Sequence, residues 1–128
     1  MSSAHKPAVW LYLANASLLA AHEIDSAFWH EWDLFGLPGG IELFLVVNLA
    51  LLAVVLYGFE RVVLWRPGAR AFSYILAAAG IFAFSIHMVL IGAGHPEFRA
   101  PVSLALLAGT LLVSVAQILV VAGRERPC

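Results

Sequence analysis

The sequence predicts an all-α fold, an integral membrane up-down four-helix bundle, and three observations carry that expectation. Of 128 residues 62% are hydrophobic and 12% charged, against roughly 45–50% and about 25% in soluble domains. The apolar residues gather into long runs, and the mean hydropathy is +0.93. Short Pro- and Gly-bearing turns separate the runs, so consecutive helices must reverse direction. No stretch is left for a soluble catalytic domain, and residues 1–128 read as a single transmembrane domain.

The first helix is expected over about 7–29. Pro7 to Ala21 carries no charge, and the pattern continues through His22 to Trp29. Lys6, a short apolar run and Ala14-Asn15-Ala16 imitate a cleaved signal peptide. The apolar run outlasts that pattern, so a retained membrane helix is expected. Pro38-Gly39-Gly40 makes the first turn. The second helix, about 39–59, is interrupted only by Glu42. Arg66-Pro67-Gly68 makes the next turn, Gly94-His95-Pro96 the last. The third and fourth helices, about 71–94 and 100–123, contain no Asp, Glu, Lys or Arg. Each is long enough to cross ~30 Å of hydrocarbon at ~1.5 Å per residue.

Basic residues orient such a chain. Lys6, Arg61, Arg66, Arg70, Arg124 and Arg126, six of the seven, fall on one side, and Arg99 alone on the other. The positive-inside rule then puts both termini in the cytoplasm. Trp10 and Trp65 fall at the inner interface, Trp29 and Trp32 at the outer one, where amphipathic rings sit at headgroup level. Cys128, the single cysteine, would be cytoplasmic and reduced, which excludes internal disulfides and cysteine-rich metal sites. A net charge of -1 without a basic stripe excludes nucleic-acid binding. Membrane lipids are the expected surroundings.

This topology gathers six of the eight acids, Glu23, Asp25, Glu31, Asp33, Glu42 and Glu97, at the outer side with His22, His30, His87 and His95. His22, Glu42 and His87 come from three helices at one depth, a turn or two below the surface. Ionisable groups at such depth are costly and mark sites. Around His22 the pattern H-E-x-D occurs twice, as His22-Glu23-Ile24-Asp25 and His30-Glu31-Trp32-Asp33. His22 and Asp25 share a helix face. A carboxylate one turn from an imidazole ligates the same metal or fixes the ring tautomer. His22, Asp25, Glu42 and His87 are therefore the expected metal ligands, with Glu23 and His30 as catalytic candidates. Glu23 carries a second reading: it, Glu31, Asp33 and Glu97 read as solvated loop charges, and His95 as a turn residue. Asn15, Asn48 and Gln117 read as hydrogen-bonding residues between helices, and Asn48 as the one placed to join the site from below.

At His22 to Ser26, with a Trp-rich continuation and a glycine turn into the second helix, the chain resembles small uncharacterised bacterial four-helix membrane proteins known by a His-x-x-Glu-Glu signature. Asp25 and Ser26 stand where that signature has its two glutamates. The resemblance covers the first two helices, and it implies the bacterial inner membrane as location but no activity.

Imidazole and carboxylate donors suit zinc, iron, manganese or copper better than calcium. The expectation is a small membrane metalloprotein, with a metal-bound water or an open-site iron acting on a lipid-soluble substrate if it is an enzyme. A spare carboxylate such as Glu23 would be the general base. The alternatives are a haem b subunit with His22 and His87 as axial ligands, an ion- or proton-carrying subunit, and a structural accessory bundle. Four short helices enclose little volume, which points to a homo-oligomer or a partner subunit.

Overall fold

The structure is a computed structural model that describes residues 6–124. Arg126 and Cys128, which the sequence reading assigns to the cytoplasmic side, lie outside the described residues. The described residues are all helical outside their turns, with no strand. Four long helices, α1 (Lys6–Phe28), α3 (Gly40–Val63), α4 (Ala69–Gly92) and α5 (Pro101–Gly123), are joined by short connections, the first of which holds a four-residue helix, α2 (Glu31–Leu34).

Local chemistry sets these boundaries. Gly39 and Gly68 precede α3 and α4 with φ of 95° and 92°, a left-handed conformation that glycine adopts without steric cost. α5 begins on Pro101, where the missing N–H would have had no helical partner. α1 stops at Phe28 because His30 adopts φ 52° and ψ 52°. The chain turns there and restarts as α2. The second long helix runs to Val63, past the end expected at 59.

α1 packs against α3, α4 and α5, and α4 also packs against α3 and α5, whereas α3 and α5 do not meet. Asn15 lies against the helix face of Gly80, and His22 against His87. That constant offset makes α1 and α4 parallel. Asn15 reaches Ser114 and Gln117 while Leu18 faces Gly109, so α1 and α5 are antiparallel.

The seam between α1, α4 and α5 is polar. Ser103, Leu107, Thr110, Ser114, Gln117 and Val121 are the buried residues of α5, spaced alternately four and three. That is the knobs-into-holes spacing of left-handed helix packing. α1 buries Tyr12, Asn15, His22 and Ser26, and α4 buries Ser73, Gly80 and His87, at related spacings. Asn15 Nδ2 donates to Ser114 Oγ at 3.0 Å and to Gln117 Oε1 at 2.9 Å, and Gln117 Nε2 donates to the Ser73 carbonyl at 3.0 Å. Small and hydrogen-bonding side chains inside with large apolar ones outside is the arrangement of helices packed in lipid, where apolar contact drives no association. An apolar cluster of Val9, Tyr12, Val62, Ala69 and Leu76 lies where α1 and α4 meet α3.

α3, α4 and α5 are each long and apolar enough to cross a membrane; α1 is not among them. Hydropathy averages over every face of a helix. Asn15, His22 and Ser26 lower the average for α1 although all three are buried. α3 is the reverse case, with only Gly58 and Val62 buried.

Candidate metal centre

Three backbone events bring ionisable side chains together at the end where α1 and α4 finish. α1 supplies His22 two turns before its end, and α4 supplies His87 at the matching level. The turn at His30 drops the chain back over that end, and Glu31, the first residue of α2, points toward His87 with its side chain 15% exposed. One ligand atom each from His22, Glu31 and His87 lies within 4.8 Å of the other two.

His87 Nδ1 is 2.7 Å from the Ala83 carbonyl oxygen. A carbonyl only accepts, so Nδ1 carries the proton, and in the neutral ring Nε2 presents a lone pair. That nitrogen lies 3.5 Å from Glu31 Oε1 and makes no hydrogen bond. His22 Nδ1 is likewise buried without a partner. The two rings meet edge to face with centroids 4.5 Å apart. Phe98, buried in the connection from α4 to α5, covers His87 edge-on at 4.2 Å. A backbone acceptor behind one nitrogen and an unpaired lone pair in front is how ligating histidines are oriented.

Further polar atoms at this end lack partners. Asp25 Oδ1 accepts from Trp29 Nε1 at 3.2 Å, but Asp25 Oδ2 and Ser26 Oγ are buried without hydrogen bonds. Unpaired buried polar atoms are rare enough that each asks for an occupant. Metal–ligand bonds of 2.0–2.2 Å in tetrahedral geometry put donors about 3.3 Å apart. The Glu31–His87 pair is near that spacing at 3.5 Å, and the His22 donor lies within 4.8 Å of both.

Among the residues singled out from sequence, His22 and His87 meet. Asp25 stands one turn beyond His22, within range of its charge. Glu42 does not join them: it lies in the first turn of α3 and is exposed. Its level differs as well as its face: α3 runs antiparallel to α1 and brings Asn48 beside Glu23, so Glu42 stands more than a turn beyond the layer of His22 at ~1.5 Å per residue. Glu23 is half-buried, facing Glu31 and within hydrogen-bonding reach of Asn48. His30 is exposed, stacked on Trp32 at 5.0 Å and 3.9 Å from Asp33 Oδ2. Its backbone, in the left-handed region, makes the turn from α1 into α2. His95 stands 3.7 Å from Glu97 in the last connection.

Glu31, read from sequence as a solvated loop charge, is instead the carboxylate of the cluster. The signal for it was the repeated His-Glu pair, His22-Glu23 and His30-Glu31. Periodicity could not reveal that the helix breaks between the two copies.

No curated protein and no solved structure matches the chain. Residues 8–124 match a family of unknown function, DUF6713, and the chain belongs to that family.

Proposed function

We propose that this DUF6713 member is a transmembrane four-helix bundle of the bacterial inner membrane whose outer-leaflet end binds a divalent transition metal through His22, His87 and Glu31. The observation that carries this is the convergence of two buried imidazoles, each with an unpartnered nitrogen, on one carboxylate. α1 acts as the fourth span, its polar residues turned inward and its Trp10 exposed near the inner end. Both termini face the cytoplasm, as the distribution of arginines implies.

Two imidazoles and a carboxylate leave coordination positions open, the donor set of non-haem iron(II) oxygenases and of catalytic zinc. An open position holds water or substrate. A lipid-soluble substrate would arrive laterally between helices, and Glu23 is the nearby carboxylate suited to accept a proton. Asp25 and Ser26 are the remaining polar groups that would complete or orient the site.

The haem alternative is disfavoured. Ring centroids 4.5 Å apart are closer than two axial imidazoles on opposite faces of a porphyrin can stand.

The test is elemental analysis of the purified protein in detergent, alongside H22A and H87A. Stoichiometric metal in the wild type, lost in both variants while each still inserts, supports the reading. A metal-free wild type after reconstitution with zinc, iron(II), manganese and copper would leave His22 and His87 as interhelical glue.

A further inference from the structure

At the end opposite the metal centre, α3 finishes, α4 begins and α5 finishes within one patch. The connection from α3 to α4 borders an open cavity of about 330 Å³ lined by Trp65, Arg66, Pro67, Gly68, Ala69 and Arg70. Arg66 and Arg70 stand in its wall, and Arg124 lies on Trp65 beside it. Glu60 pairs with Arg66 at 2.7 Å and with Arg61 at 3.7 Å. Arg70 and Arg124 have no carboxylate partner among the described residues.

Arg124 lies over the Trp65 ring at 4.8 Å. Its pKa is lowered, first by burial and then by the charge of Arg70. Two guanidinium groups held close without an acid repel each other, and an anion between them reverses the sign of that interaction. The cavity stands where three membrane-length helices terminate, the level at which tryptophan and lipid headgroups meet. An anion at that depth, reached from the side, is a headgroup phosphate. Guanidinium forks match phosphate oxygens two at a time, and basic pockets between membrane helices take such headgroups.

We propose that this cavity binds the phosphate of an anionic phospholipid headgroup, with Arg66 and Arg70 in its wall and Arg124 held beside it on Trp65. This site is independent of the metal centre and stands whether or not that centre is occupied.

The experiment uses the full chain in neutral detergent, with lipid binding read by native mass spectrometry and by thermal unfolding. Phosphatidylglycerol, phosphatidylcholine of the same acyl chains and inorganic phosphate are titrated separately. Phosphatidylglycerol should bind saturably and raise the melting temperature, and phosphatidylcholine should do neither. R70Q and R124Q should each weaken phosphatidylglycerol at least tenfold. R70K, which keeps the charge, should retain the preference and so separate loss of charge from a folding defect. R99Q, a cation removed at the opposite end, should bind as the wild type does. Equal binding of the two lipids, or equal weakening by R99Q and R70Q, would overturn the proposal. Stabilisation by millimolar phosphate alone, with displacement of the lipid, would overturn the lipid assignment and give the cavity to a soluble phosphate.

Discussion

Glu31 and Glu42 are both glutamates at the first turn of a helix, yet one faces two buried imidazoles and the other faces outward. E31Q keeps the shape of the side chain and removes the anionic donor, so its metal affinity should fall by more than the 10–100-fold typical of an outer-shell partner. E42Q should bind as the wild type does. Competition against a chelator of known affinity measures both. Metal at 100 times its dissociation constant stabilises the folded state by about 2.7 kcal/mol. Chelation should therefore lower the melting temperature of the wild type and of E42Q, and leave H87A unchanged. Equal losses in E31Q and E42Q would remove Glu31 from the ligand set.

Two elements carry positions where backbone geometry decides the outcome. His30 holds a left-handed conformation between α1 and α2, which costs an L-residue about 1–2 kcal/mol and a β-branched one more. H30G should bind metal as the wild type does and unfold no more easily. H30V should strain the turn, displace α2 and weaken metal binding through Glu31, although residue 30 is not a ligand. Matched isotherms for H30G and H30V would show that the turn does not position Glu31. In α4, a Cβ added at Gly80 would collide with Ser114 Oγ and stand 3.1 Å from Asn15 Oδ1, while one at Gly92 would meet nothing within 4 Å. G80A should lower stability by the ~1–3 kcal/mol typical of overpacking. G92A should be close to neutral, with both measured by denaturation in the same detergent.

For the whole molecule, a reporter fused after residue 128 should be active only in the cytoplasm, as the six-to-one division of basic residues implies. A periplasmic C-terminus would invert the bundle and turn the metal centre toward the cytoplasm. What the sequence determined by itself was membrane class, helical content and the depth of His22 and His87, because span length, turn chemistry and rise per residue are local, additive quantities. Rotation about each helix axis is not local. It depends on which face the neighbours cover, as the slide of one helix along another depends on their packing, so only the tertiary structure excluded Glu42, turned the polar face of α1 inward and folded Glu31 back over the helix end from a connection that sequence had given to solvent.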